Sequence, residues 1–463
     1  MKKTILIILS FMATLSMSAQ YNTPNKQLHS PPDEPMTLIE CITKAVANNP
    51  SLQATRLQEQ ANQYMIKEVR ASGLPQINGS GRYTYNYALP EQLLPGEFFG
   101  QPGVTVPVKF GVANNINTSV EVQQLLFSKS YLTGLKAAEA SQSMVKMQTF
   151  KTTEDLVYSV AQSYLQLQIS QRQQEILNAN LDRINQLINI AEIQFEEGLI
   201  KKVDVDQLRV NRTNLQTERQ NLEIGITQQF NLLKFYMGMN PDDQVSIAES
   251  IQEGSLLETS VESAGLVLSE NTSLQLLDKQ LELSELEIEN IEAGYYPSLS
   301  AFGNFGWQGQ TDRLFSDETQ YDVNGTTTGA VGLSLNIPIF DGFRKRNQLQ
   351  QARVSQDQLL LNRMYTTSSI KMEFANANEN LRQNKTLLET QKENMQLAEE
   401  LYEVARLSYQ EGVAPLTELL NAETSLKEAQ TQYLTALLQL NLAEIDYMKS
   451  SGEMAQFIRE NIK

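Results

Sequence analysis

A four-residue turn occurs twice in this chain, 214 residues apart. Phe195-Glu196-Glu197-Gly198 and Tyr409-Gln410-Glu411-Gly412 each close a long helical pattern. Each is followed, six residues on, by an acid, Asp204 or Glu418. Self-similarity at a fixed offset means that one structural unit is built twice. Upstream of the turns the row at i, i+7 reads Val160, Leu167, Gln174, Leu181, Ile188, Phe195. Its counterpart reads Phe374, Leu381, Leu388, Met395, Tyr402, Tyr409, and all pairs but Gln174/Leu388 are apolar in both copies. Ala191 matches Ala405. Further back, Ser51-Leu52-Gln53 returns as Ser273-Leu274-Gln275, and Ala71, Pro75 and Gly81 meet Ala293, Pro297 and Gly303, all at an offset of 222. Phe127 meets Phe340. Both halves therefore hold the same elements in the same order.

The first 19 residues read as a secretory signal peptide: Lys2 and Lys3, an apolar run from Ile5 to Leu15, then Ser16-Met17-Ser18-Ala19. That run is too short for a membrane anchor, which needs about 20 apolar residues. Cleavage falls between Ser18 and Gln20. No later stretch reaches spanning length, so the exported chain is either soluble or part of a β-barrel. Cys41 is the only cysteine, which excludes an intrachain disulfide, and it lies too far from the leader to carry a lipid. Without Lys2 and Lys3 the chain holds 35 basic and 54 acidic residues, a balance of −19. Such a charge argues against a nucleic-acid partner.

The repeat sets the domain plan. Residues 20–35 are a proline-rich linker, 36–239 the first repeat and 240–262 the connection. Residues 263–450 are the second repeat and 451–463 a C-terminal tail. Thr37 with Glu40 predicts a capping box, and helical spacing then runs to Asn48 and from Ser51 to Ala71. Gly73-Leu74-Pro75 ends it. The period next changes to two: Ile77, Gly79, Gly81, Tyr83, Tyr85 and Tyr87 share one face, and Asn78, Ser80, Arg82, Thr84 and Asn86 the other. This length suits a tilted membrane strand of about 9–11 residues. A Pro/Gly-rich loop spans 89–115, and a second strand runs from Ile116 to Leu126. From Ser130 to Glu197 there is no proline, which predicts a helix of roughly 100 Å. Leu177, Leu181, Ile184, Ile188, Ala191 and Phe195 have coiled-coil spacing. Gly198 is placed as a C′ residue, and a returning helix covers Val203 to Met239. The second half repeats the plan. A helix runs from Thr272 to Gly294, strands lie around Leu299–Trp307 and Val331–Ile337, a long helix runs from Phe343 to Glu411, and a last helix starts at Pro415.

The fold class is therefore mainly α with a four-stranded β segment. Four strands cannot close a membrane barrel, since barrels begin at about eight strands and an open edge in lipid leaves amides unpaired. The expectation is duplicated long α-helical hairpins that continue a β-barrel completed by oligomerisation. Two chains would give eight strands and three would give twelve.

The order of elements resembles the TolC-like outer-membrane efflux proteins over essentially the whole mature chain. Carrying the likeness are Asn48-Asn49-Pro50-Ser51-Leu52, Pro297-Ser298-Leu299, Pro338-Ile339-Phe340-Asp341-Gly342 and Leu419-Leu420-Asn421-Ala422-Glu423-Thr424. The resemblance implies an outer-membrane homotrimer in contact with outer-membrane lipid and with a large periplasmic part. Its partners would be a periplasmic adaptor protein and an inner-membrane transporter. It also implies a constriction at the periplasmic entrance, carried over by position to Asp204, Glu418, Asn421 and Tyr409, with Gly198 and Gly412 as the tip turns. Asn421 stands where an acid is common, and Ala414-Pro415 leaves no basic residue just after Gly412. Asp204 and Glu418 have a second reading as helix N-terminal acids that favour the macrodipole. For Phe195 and Tyr409 packing in the coiled-coil seam is preferred over a gating role.

Catalytic signatures do not occur. There is no HExxH, GxxxxGK[ST] or GxSxG, and the only histidine, His29, lies in the linker. Asp204-Val205-Asp206 is a weak metal candidate, because residues two apart on a helix do not share a face. No enzyme activity, metal or cofactor is expected. The function read from the sequence is a passive exit duct for small molecules in a tripartite efflux assembly. Two alternatives stand beside it, the same duct serving one-step protein secretion and a soluble periplasmic coiled-coil scaffold.

Overall fold

The computed structural model describes residues 35–100, 102–248, 265–312 and 323–462. The signal peptide, linker residues 20–34 and connection residues 249–262 lie outside them. In each half a helix of 22 residues leads into the sheet. Helix α1 (Leu38–Asn48) has the expected capping box: Thr37 N–H donates to Glu40 at 2.7 Å, and Glu40 N–H to the Thr37 hydroxyl at 3.4 Å. Helix α2 (Pro50–Ala71) follows at once. Strand β1 (Gln76–Tyr85) leads into the outer loop. That loop is not wholly irregular, because β2 (Glu91–Pro95) and β3 (Thr105–Lys109) pair as a small antiparallel hairpin. Strand β4 (Asn114–Phe127) returns and hands over to α3 (Lys129–Glu196), a helix of 68 residues. Helix α4 (Lys202–Tyr236) runs back beside it.

The second half has α5 (Thr272–Ala293), β5 (Ser298–Thr311), β6 (Asn324–Asn336), α6 (Arg344–Gln410) and α7 (Leu416–Ser451). Helices α2 and α5 both have 22 residues, and their caps are equivalent. Asn49 accepts from Ser51 and Leu52 N–H, and Asn271 accepts from Ser273 and Leu274 N–H. Arg70 pairs with Glu139 at 3.2 Å in the first half, and Glu292 with Arg353 at 3.4 Å in the second. The positions are equivalent and the charges are reversed.

Strand order is β1-β4-β5-β6, all neighbours antiparallel, with β1 and β6 as free edges. The register sorts the side chains by polarity across the sheet. Ile77, Val122, Gly303 and Val331 lie in one row, and Gly79, Val120, Phe305 and Gly329 in another. The opposite face carries Arg82, Asn117, Gln308 and Thr326, then Ser80, Ser119, Gly306 and Thr328. The apolar face has no partner among the described residues; Val331 is 89% exposed. An apolar outside and a polar inside is the pattern of an outer-membrane barrel wall. No helix among the described residues is long and apolar enough to cross a membrane.

Two larger cores join the halves, with a smaller one around Ile169, Leu388 and Leu437 between them. One is a belt at mid-length, where α1, α3, α4 and α7 meet around Ile42, Val160, Tyr164, Leu233 and Met448. The C-terminal stretch, 451–462, joins this belt. It forms α8 (Glu453–Asn461), which buries Met454, Phe457 and Ile458 in this belt. The positive φ of 95° at Gly452 turns the chain back onto the belt. The other core lies toward the hairpin tips.

Candidate functional site

The two tips have the same backbone solution. After α3, Gly198 N–H donates to Phe195 O at 3.0 Å and Leu199 N–H to Gln194 O at 2.8 Å. After α6, Gly412 N–H donates to Tyr409 O at 3.0 Å and Val413 N–H to Ser408 O at 3.0 Å. These are Schellman closures, which need a left-handed residue at C′. Gly198 has φ 74° and Gly412 φ 73°, a conformation in which a Cβ is strained.

Beyond each turn the next helix opens on the predicted acid. The Asp204 carboxylate accepts the Lys201 backbone N–H at 3.0 Å. This is half a capping box, because a lysine side chain has no acceptor to return the bond. Glu418 occupies the equivalent third position of α7. It is exposed and bonds to no described residue through its carboxylate. Asn421 is exposed one turn on.

Tyr409 lies inside the seam. It is 5% exposed, and its hydroxyl donates to Gln194 Oε1 at 3.2 Å, tying α6 to α3. Burial raises its pKa first, and the Asp204 charge adds to the rise. Phe195, its equivalent in the first repeat, does not pack as the seam spacing suggested: it is 43% exposed. The duplicated row thus has one end buried and the other free. The structure gathers Tyr409 and Asp204 at one place, while Glu418 and Asn421 point away from the seam core.

The tip-side core joins Leu181, Ile184, Ile188 and Ala191 of α3 to Val205 and Leu208 of α4, Tyr402 and Ala405 of α6, and Leu416, Leu419 and Leu426 of α7. One acid absent from the expected site residues interrupts this core. Glu423 is 6% exposed and neither carboxylate oxygen has a partner among the described residues. On α3 the Arg183 charge acts on it, with Nε unpartnered, and Asn180, bonded to Arg183, is 2% exposed with Nδ2 unpartnered. Arg183 bonds to the Asn180 side-chain oxygen and lies over the Tyr402 ring at 5.3 Å. The signal was present in the sequence: Leu416, Leu419, Glu423 and Leu426 step by three and four, so an acid occupies a heptad core position. Among the described residues no cluster of His, Cys, Asp or Glu could hold a metal ion, Asp204 and Asp206 included.

The sequence profile of a family described as "Outer membrane efflux protein" matches residues 41–239 and 264–453. The outer membrane protein TolC of Salmonella enteritidis is 22% identical over 432 residues, 88% of this chain and 80% of that protein. The toluene efflux pump outer membrane protein TtgF of Pseudomonas putida is 22% identical over 423 residues, 89% of this chain and 82% of that protein. Among solved structures, CusC superposes with a TM-score of 0.73 at 20% identity, covering 89% of this chain and 91% of its own. The Campylobacter jejuni outer membrane channel CmeC gives a TM-score of 0.73 at 15% identity, covering 92% and 90%.

Proposed function

The chain belongs to the outer membrane efflux protein family, and from that premise we propose that it is the outer-membrane channel-tunnel of a tripartite efflux assembly. It acts there as a passive exit duct for small molecules. Three copies close a twelve-stranded barrel in the outer membrane, and their helical hairpins continue it as a tube through the periplasm. A periplasmic adaptor and an inner-membrane transporter meet the hairpin tips and supply the energy.

The observation that carries this reading is the four-stranded sheet with an exposed apolar face and two free edges, β1 and β6. Such a sheet is unstable in water or lipid until other copies close it. The helices support it. Leu397, Leu401 and Val404 of α6 form an apolar stripe more than half exposed in the single chain, as lateral packing between copies requires. At the tips, Tyr409 holds the closed entrance, and Asp204, Glu418 and Asn421 line it.

The test is a planar-bilayer recording on detergent-extracted, mass-calibrated protein. Discrete channels from a three-chain species are expected. A protein that extracts without detergent and never conducts would overturn the duct, and the soluble coiled-coil scaffold would replace it.

A further inference from the structure

The tip-side core holds four helices together, and opening the entrance means parting its two hairpins. Three of the seam's polar groups lack partners there: Glu423 of α7, Nδ2 of Asn180 and Nε of Arg183 on α3. Unpaired buried polar groups are costly, and a charged one most of all. A position in an otherwise leucine-rich seam that carries such a group is tuned for something other than adhesion.

We infer that Glu423 is a proton-operated latch between the hairpins: as the neutral acid it lets the α3–α7 seam stay packed, and as the carboxylate it drives the tips apart.

The groups around it set the working range. From α3 comes Arg183, and from α7 Lys427, which already pairs with Glu218 of α4. From α6 comes Tyr402, with Glu403 and Arg406 paired to each other at 2.7 Å. Burial raises the Glu423 pKa; the Arg183 and Lys427 charges oppose it and do not prevail, leaving it at about 7. The sign follows from linkage. The packed seam holds the proton more tightly than water-exposed Glu423 does. Its stabilisation is therefore complete below the ordinary glutamate pKa and is lost as pH rises toward 7. One turn away a cavity of ≈ 140 Å³, lined by Asn180, Glu218 and Lys427, lies between the hairpins. It is large enough for water to reach the seam.

The consequence for transport rests on the tips being the duct's entrance, but the separation itself can be read without conduction. Hydrogen exchange on the detergent-extracted full-length protein at pH 6 and pH 8, with intrinsic exchange chemistry divided out, reports it. For a carboxyl that regains water on separation, wild-type protection across 177–219 and 395–430 should fall about tenfold between these pH values. Glu423→Gln should keep its protection at both. Glu423→Leu, which completes the apolar seam, should do the same and stands in if the glutamine variant does not assemble. A wild-type protein protected equally at both pH values, or variants that lose protection as the wild type does, would overturn the latch. Silence in the bilayer would count only against the duct.

Discussion

Asp204 carries two physical roles that a change of charge without change of shape separates. Its carboxylate accepts the Lys201 N–H, which an asparagine oxygen can also do, while its charge acts on ions at the tip. Asp204→Asn with Glu418→Gln keeps the helix opening and removes two charges per chain. If those charges line the duct, block by multivalent cations in bilayer recordings should weaken as much as in the Asp204→Ala, Glu418→Ala variant. If only the alanine variant changes, capping is the whole role. Tyr409 offers the complementary experiment. Tyr409→Phe keeps the buried ring and loses the bond to Gln194, a net contribution of about 0.5–1.5 kcal/mol. The closed-to-open ratio should fall about two- to tenfold per chain, read as longer open dwell times. The tip glycines and acids were legible in the sequence because Schellman closure and N-terminal acids are local. The burial of Tyr409 against the exposure of Phe195 was not, since it depends on which copy of the row faces the other hairpin. The role of Glu423 is not local either, because it arises only when α3 brings Arg183 to it.

The elements of the two halves match in length and caps, yet they are not interchangeable. Asn49 accepts two N–H groups at the start of α2 and also donates from Nδ2 to Tyr236 O at 2.9 Å, tying that cap to the end of α4. Asn271 makes the same cap, and its side chain is less buried. Losing a cap costs about 0.5–2 kcal/mol, and losing the extra bond adds about 0.5–1.5 kcal/mol. Asn49→Ala should therefore lower the melting midpoint more than Asn271→Ala. Equal shifts would mean that the bond to Tyr236 contributes nothing. The reversed ion pairs, Arg70–Glu139 and Glu292–Arg353, show that the repeat conserves a place for opposite charges without fixing their sign. Helices and long strands were legible to within a few residues because their periods, 3.6 and 2, persist over many turns. The β2–β3 hairpin was hidden by Pro90, Pro95 and Pro107, which argue against strand. Helix α8 was hidden behind Gly452, whose turn feeds a packed element only because the mid-length belt has an apolar groove to fill.

At the scale of the molecule the question is how one sheet edge meets another. The internal duplication supplies an answer more specific than a strand count. The same offsets that map β1 onto β5 (Gly81 to Gly303) and β4 onto β6 (Thr118 to Val331) preserve strand pairing, because Gly81 faces Thr118 and Gly303 faces Val331. The junction between repeats, β4 against β5, sets Val120 opposite Phe305 and Ser119 opposite Gly306. If β6 meets β1 of the next copy by the same geometry, Leu333 falls opposite Tyr83 and Leu335 opposite Gly81. Both pairs stay on the apolar face, so the apolar row continues across the junction. A slip of one residue would turn every side chain to the wrong face. Ser334 and Arg82 then oppose each other on the polar face, close enough at about 4.5–5.5 Å between Cβ atoms to be linked through cysteines. Cys41 is fully buried and stays out of the reaction. Oxidising the Arg82→Cys, Ser334→Cys double variant in membranes should give covalent two- and three-chain species on a denaturing gel, with each single variant remaining at one chain. A ladder ending at two chains would make the barrel eight-stranded. A link that forms only when the pair is shifted by one residue would break the equivalence between the inner junction and the outer one.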